Sequence, residues 1–117
     1  LPRIVTGDFN GTPDTEAMQW MRAHYSNAYV EVHGQDPAYT APTPLGGRQF
    51  MKRVRQFLIN IFANRTLKPW RGTLDYIFYS GALQAVAAET FLDTPAPHDA
   101  RLYPTDHLGL LARFEKA

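Results

Sequence analysis

The stretch that most constrains the fold of this chain is a β-branched run leading into a turn bracketed by two glycines, Ile4-Val5-Thr6-Gly7-Asp8-Phe9-Asn10-Gly11. Alternate side chains of an extended segment point to the same side, so we expect Asp8 and Asn10 to share one face. Phe9 then points the other way and can anchor the segment in a core. A carboxylate and an amide at the open end of a strand suit contact with a phosphate or a metal ion. Asp, Asn and Gly are also common in ordinary turns, so these residues alone leave both interpretations open.

Length and composition indicate one globular domain. A chain of 117 residues allows a single domain with a modest core. Its hydrophobic fraction of 44% and charged fraction of 20% are those of a soluble globular protein. The sequence has no cysteine, which excludes disulfides and thiolate metal sites. The chain opens on strand-like residues without an initiating Met, so we expect a piece of a longer protein. Separately, we expect an intracellular, cytoplasmic protein.

The net charge of +1 hides a basic middle section, which holds seven of the chain's 12 basic residues and no acidic residue between Asp36 and Asp75. Apolar residues there recur with a period of 3.6, which predicts a basic amphipathic helix over about residues 48–63, within an insertion at about 46–66. Three roles stay open for it. The helix can pack its apolar face on the body of the domain, follow the phosphates of an RNA, or bind a membrane surface or partner helix.

The remaining pattern is that of an α/β protein. Thr12-Pro13 is typical of a helix start, and the spacing that follows predicts an amphipathic helix over roughly residues 13–25 with Trp20 in the core. The other predicted elements are a possible short strand at 29–32 and strands at 73–79, 85–92 and 108–114.

Asp75 is an anomaly, because it is a carboxylate inside the apolar and aromatic strand 73–79. Such a residue is rarely buried without a hydrogen-bond partner. Neighbouring residues of an extended chain point apart, so Asp106 is poorly placed to pair with His107. Asp75 is therefore the candidate that fixes the tautomer of His107, which leaves Asp106 free for a cation.

Together these residues fit the cleavage of a phosphate ester with the help of a divalent ion, Mg²⁺ or Mn²⁺. Such an ion keeps several waters and needs few protein carboxylates. It stabilises charge on phosphoryl oxygens while an acid or a histidine orients the attacking water. The groups that the sequence offers for this chemistry are Asp8, Asn10, Asp75, Asp106 and His107.

Three motifs in this order, Gly7-Asp8-Phe9-Asn10, Leu74-Asp75-Tyr76-Ile77-Phe78 and Asp106-His107, resemble those of the endonuclease/exonuclease/phosphatase superfamily. The sequence around these motifs is most similar to that of the deadenylase branch, which includes nocturnin and the Angel proteins. The residues that carry this second resemblance are Thr12-Pro13-Asp14, Tyr39-Thr40, Thr73-Leu74-Asp75-Tyr76-Ile77-Phe78-Tyr79-Ser80 and Tyr103-Pro104-Thr105-Asp106-His107-Leu108. The resemblance implies the C-terminal half of a DNase I-like, four-layer α/β sandwich of antiparallel or mixed sheets with flanking helices.

The resemblance also implies roles for the site residues. Asp8 would orient or deprotonate the attacking water and approach the metal, and Asn10 would contact the scissile phosphate and support the metal site. Asp75 would hydrogen-bond His107, which would contact the phosphate and stabilise the transition state. Asp106 would be a metal ligand.

The first half of the superfamily's domain carries an Asn and a metal-binding Glu, and neither lies in this sequence. We therefore expect residues 1–117 alone to be inactive, and to pack against the missing N-terminal half or to self-associate. The expected substrate is RNA, at its 3′ end, or a nucleotide or other phosphoester, with Tyr39, Trp70 and Arg71 as candidate substrate-binding residues. The alternatives are a non-catalytic RNA- or membrane-binding module that uses the basic helix, and a phosphatase acting on a soluble or lipid phosphoester.

Overall fold

The computed structural model describes residues 1–44, 52, 54–56 and 70–117. The elements in chain order are β1 (Arg3–Asp8), α1 (Glu16–His24), β2 (Ser26–Asn27), α2 (Ala28–His33), β3 (Asp75–Ser80), β4 (Leu83–Phe91) and β5 (Gly109–Lys116). The basic helix predicted for the middle of the chain lies almost entirely outside the described residues. Residues 52 and 54–56 within it are helical, and the rest of that prediction is not tested.

Within the described residues, the fold is built on two antiparallel sheets. The first has the strand order β1-β3-β2, and its register places Asp8 at the end of β1 directly opposite Asp75 at the start of β3. The second is the hairpin β4-β5, whose register shifts between Ala85 and Ala87. β3 is the central strand of the first sheet and pairs with β1 on one edge and β2 on the other, so it sets the positions of both.

The core is divided between the two faces of β3. Tyr76 and Phe78 pack against Met18 of α1, whereas Tyr79 packs with Ala28 of α2 and with the second sheet. The side chain of Phe78 is fully buried. The strand predicted at 73–79 is therefore confirmed as β3, which begins at Asp75, and the layers run from α1 through the first sheet to the second. This is the expected mixed α/β arrangement with antiparallel sheets and flanking helices, consistent with part of a DNase I-like fold.

The first helix differs from its prediction in two ways. It begins at Glu16, because residues 12–14 form a turn closed by the Thr15 N–H, which donates to the Thr12 carbonyl at 3.0 Å. Trp20 was expected in the core but is 56% exposed. Positions two apart on a helix lie about 200° apart around its axis, so Met18 and Trp20 cannot both face inward, and Met18 is the buried one.

The short strand expected at 29–32 is wrong, because these residues belong to α2. The side-chain oxygen of Asn27 accepts hydrogen bonds from the backbone N–H groups of Tyr29 and Val30, at 3.0 and 3.2 Å. Gly34, with φ of 76°, ends the helix in the left-handed conformation. A cap at each end therefore overrides the strand-forming composition of the segment.

No helix in the described part of the chain is long and apolar enough to cross a membrane.

Candidate active site

The site begins with two carboxylates brought together by the pairing of β1 with β3. Asp8 and Asp75 are opposite each other in the register, and directly opposed residues of an antiparallel pair place their side chains on one face of the sheet. Asp75 alternates with the buried Tyr76 and so faces the second sheet rather than α1. The strand pattern alone therefore puts both acids at one end of the first sheet.

His107 reaches these acids from the segment that leads into β5. Its Nδ1 lies 2.8 Å from Asp75 Oδ2, and its Nε2 lies 3.9 Å from Asp8 Oδ2. The side chain of Asp75 is 19% exposed and that of His107 29%, so the pair is partly screened from water. The structure thus brings Asp8, Asp75 and His107 into one group.

The contact with Asp75 determines how the imidazole is used. A carboxylate accepts, so Nδ1–H of His107 donates to Asp75 and Nε2 faces Asp8. A separation of 3.9 Å is too long for a direct hydrogen bond. Since such bonds span about 2.8 Å, one oxygen atom placed beside this gap can contact both Nε2 and the carboxylate of Asp8.

The pKa of His107 is raised above its ordinary value. Burial opposes the charged imidazolium and alone would lower the pKa. The hydrogen bond and the negative charge of Asp75 act in the opposite direction, with further contributions from the charges of Asp106 and Asp8. The acidic surroundings outweigh the burial, so the site favours a protonated histidine.

The Asp8 carboxylate is oriented by a turn rather than by an extended strand. β1 ends at Asp8, and Asn10 has a positive φ of 50°, which asparagine tolerates better than most residues. Its backbone N–H donates to Asp8 Oδ1 at 2.8 Å, while Oδ2 is the oxygen nearest to His107. The expectation that Asp8 and Asn10 share one face of an extended segment is therefore wrong, although the two remain in direct contact.

Asp106 is exposed and lies apart from the group formed by Asp8, Asp75 and His107. Its Oδ1 is 3.4 Å from the Thr105 hydroxyl, which donates to it. Its backbone carbonyl accepts from the Thr43 N–H at 2.8 Å. Asp106 and His107 lie in a bend rather than in an extended strand, so the expected alternation of neighbouring side chains does not account for their different surroundings.

The donor set suits a hard divalent cation. Among the described residues, Asp8, Asp75 and His107 each offer one ligand atom, and these atoms lie within 4.8 Å of one another. Mg²⁺ is bound in proteins by one or two carboxylates and keeps several waters, so the carboxylates of this group fit it, whereas a protonated His107 has no lone pair to offer. One oxygen of Asp75 accepts from His107 and one oxygen of Asp8 accepts from the Asn10 N–H, so each carboxylate has a second oxygen that can contact a cation.

The candidate substrate-binding residues form a surface beside the start of β3. The guanidinium carbon of Arg71 lies 4.6 Å from the centroid of the Tyr39 ring. Trp70 is 46% exposed and lies against Gly72, where a Cβ would come within 2.6 Å of the indole ring. The same Cβ would lie 3.3 Å from the Thr12 methyl group, so this aromatic surface adjoins the turn that follows Asn10.

An open cleft of about 330 Å³ connects the acids to the space between the two sheets, with Asp8 and Asp75 at one end and Ile77 and Leu110 along its walls. A larger depression of about 530 Å³ lies at the other end of β3, near Arg22, His24 and Tyr79. None of the predicted site residues lines it. Its size does not make it the active site, because the grouped acids and histidine are elsewhere.

Comparison with known families supplies the decisive observation. The sequence model of the endonuclease/exonuclease/phosphatase family matches residues 1–107. The chain belongs to this family. The matched range contains every predicted site residue, and the family's members are generally hydrolases of phosphoesters that typically use divalent metal ions. Neither the curated proteins nor the solved structures compared with the sequence gave a match.

We predict that Asp75→Asn lowers the pKa of His107, because the substitution removes the charge that favours the imidazolium. Because its pKa is raised in the folded state, protonation of His107 stabilises the fold. This stabilisation is complete at pH values below the unfolded-state pKa of about 6.5, and it is lost as the pH rises through the folded-state pKa. The variant should therefore show a weaker loss of stability over this pH range. NMR titration of the histidine Cε1–H signals in metal-free protein measures the change, with His24 and His33 as internal controls. An unchanged His107 midpoint would contradict the role assigned to Asp75.

Proposed function

We propose that this chain is the C-terminal half of the catalytic domain of a divalent-metal-dependent phosphodiesterase of the deadenylase branch. Its substrate is an RNA 3′ end or a nucleotide. The observation that carries the proposal is the arrangement of His107, which is bonded to Asp75 through Nδ1 and faces Asp8 across 3.9 Å through Nε2. A phosphoryl oxygen or an attacking water fits beside that gap, where an acid and a base are both within reach.

The residues divide the chemistry between them. Asp75 keeps the Nδ1 proton of His107 in place, so the protonated Nε2 donates to a phosphoryl oxygen as negative charge develops there. Asp8 accepts a proton from the attacking water, whose oxygen bonds to phosphorus as the bond from phosphorus to the leaving oxygen breaks, and the leaving oxygen takes its proton from solvent. Asn10 holds one oxygen of Asp8 through its backbone amide, and its side chain contacts the scissile phosphate. The raised pKa of His107 favours the charged form that this role requires.

The metal ion, Mg²⁺ or Mn²⁺, would be held by Asp106, Asp8 and Asn10. When bound, it supplies positive charge to the phosphoryl oxygens. A further Glu ligand comes from the missing N-terminal half, so residues 1–117 alone bind the ion poorly and hydrolyse nothing at a useful rate. Asp106 is exposed, which agrees with a metal ligand whose neighbouring ligands come from the N-terminal half.

A nucleotide substrate is supported by the surface formed by Tyr39, Trp70 and Arg71. An exposed indole offers a stacking face for a base, and a guanidinium beside an aromatic ring offers charge for the phosphates. The Trp70 indole and the Thr12 methyl group both lie beside Gly72, close to the turn that follows Asn10. A phosphatase acting on a soluble or lipid phosphoester would gain less from such a stacking surface.

The missing half is proposed to cover the open side of the two sheets. β1 is an edge strand of its sheet, and Ile4 on it is 52% exposed. Leu111 of β5 is 53% exposed, and the cleft between the sheets is open. An apolar edge of this kind invites pairing with another chain, so residues 1–117 expressed alone should self-associate.

We predict that light scattering of the isolated chain gives the mass of a dimer or larger species, because association buries the exposed edge of β1 and the exposed apolar side chains. Adding the N-terminal half in trans should convert this species into a one-to-one complex. A stable monomer that unfolds cooperatively would contradict the proposed open side.

The proposed reaction is tested by titrating Mg²⁺ into the full-length protein with oligo(A), nucleotides and inositol phosphates as substrates. We expect hydrolysis that requires the cation and favours oligo(A) or a nucleotide. His107→Ala should reduce kcat/KM by about 100-fold or more, the usual contribution of a positioned acid or base. His98→Ala, in an exposed loop outside the site, is the matched control and should retain activity.

Activity that survives His107→Ala would contradict the assigned site. A non-catalytic module that uses the basic middle section would instead bind RNA or anionic vesicles without turnover. Such binding would weaken steeply with salt and survive loss of His107. Preference for inositol phosphates would indicate the phosphatase alternative.

A further inference from the structure

The segment from Thr40 to Thr43 lies between the two parts of the chain that carry the acid and the histidine. On one side it pairs with the residues just before β3 through the isolated bridge between Ala41 and Gly72. On the other side it bonds to the segment that carries Asp106 and His107. Thr40 and Thr43 are both fully buried. Sequence reasoning assigned neither of them a role in the chemistry.

We propose that Thr40 is a positioning residue, which sets the distance between Asp75 and His107 by bonding to both of their segments at once. The claim that this positioning matters for catalysis rests on the proposed function. The positioning itself concerns only the geometry of this chain.

The side chain of Thr40 holds the start of β3. Its Oγ1 accepts from the backbone N–H groups of Leu74 and Asp75, at 2.9 and 3.1 Å. The Thr40 N–H also donates to the Gly72 carbonyl at 3.0 Å. Asp75 is the first residue of β3, where the strand has β1 on one edge only, so this hydroxyl replaces the missing neighbour on the other edge.

The backbone of the same residue holds the histidine segment. The Leu108 N–H, directly after His107, donates to the Thr40 carbonyl at 2.7 Å. Thr43 adds a second attachment, since its hydroxyl donates to the Thr105 carbonyl at 2.6 Å and its N–H donates to the Asp106 carbonyl at 2.8 Å. His107 is thus bracketed on both sides by bonds to the 40–43 segment.

The 40–43 segment therefore holds the Asp75 segment and the His107 segment at a fixed distance from each other. The bond from His107 Nδ1 to Asp75 Oδ2 is 2.8 Å long, and neither partner is the sequence neighbour of the other. A valine at position 40 would keep the shape of threonine but could not accept the two N–H groups. The start of β3 would then be free to shift from the 40–43 segment, and the Asp75–His107 bond would lengthen or lose its alignment.

The test compares Thr40→Val with Thr40→Ser in the full-length protein labelled with ¹⁵N at histidine. The Nδ1–H signal of His107, assigned by its loss in His107→Gln, reports the bond to Asp75 without requiring activity. We expect Thr40→Val to broaden or shift this signal and Thr40→Ser to keep it. In assays with oligo(A) and Mg²⁺, we expect kcat to fall by about 10- to 100-fold in Thr40→Val, the size of effect that follows from a misplaced group. KM should stay within about twofold.

Asn27→Ala is the matched control for lost stability. Asn27 is also buried, and its side-chain oxygen also accepts from two backbone N–H groups, but it lies opposite Phe78, away from the acids. It should destabilise the fold and leave the His107 signal unchanged. If Thr40→Val fails to fold, Thr40→Cys gives the same comparison in a milder form, because a thiol is only a weak acceptor.

A His107 signal that is unchanged in Thr40→Val, or lost equally in Asn27→Ala, would overturn the positioning role. A wild-type protein that shows the expected signal but hydrolyses no phosphoester would overturn the proposed function and leave the positioning intact. The two failures are therefore distinguishable.

Discussion

The hydrogen bond from His107 Nδ1–H to Asp75 Oδ2 is the interaction on which the rest of the site depends. It joins residues that are 32 positions apart in the chain. It settles which nitrogen carries the proton and leaves Nε2 facing Asp8. A histidine without this partner would lose its fixed tautomer and the strongest of the acidic contacts that raise its pKa. Its remaining role would be that of an ordinary half-buried side chain.

The fold holds Asp75, one partner of this bond, in a rigid strand. β3 is buried on both faces, against α1 on one side and against α2 and the second sheet on the other. Its pairing with β1 sets Asp8 opposite Asp75, and the turn after β1 aims one oxygen of Asp8 at the histidine. Sites built on regular elements and held by buried hydrogen bonds keep their geometry better than sites on free loops. The Thr40 contacts extend this support to the irregular segment that carries His107.

The sequence allowed part of this arrangement to be predicted. The alternation along β3 follows from its composition, and the anomaly of Asp75 in an apolar strand pointed to a polar partner such as His107. Other features depend on interactions that spacing does not encode. The helix α2 forms because Asn27 and Gly34 cap a segment whose composition favours a strand. Asn10 leaves the extended conformation because its amide caps Asp8. The role of Thr40 arises only where three separate segments meet, so no local pattern could indicate it.

The central proposal is that these acids and this histidine belong to the active site of a metal-dependent phosphoester hydrolase. The most direct test is a crystal structure of the full-length protein grown with Mn²⁺, using anomalous scattering to locate the ion. The account predicts one strong peak at the end of β1 and β3, within about 2.5 Å of a carboxylate oxygen of Asp106 or Asp8. A peak located elsewhere, or none at this position at saturating Mn²⁺, would contradict it.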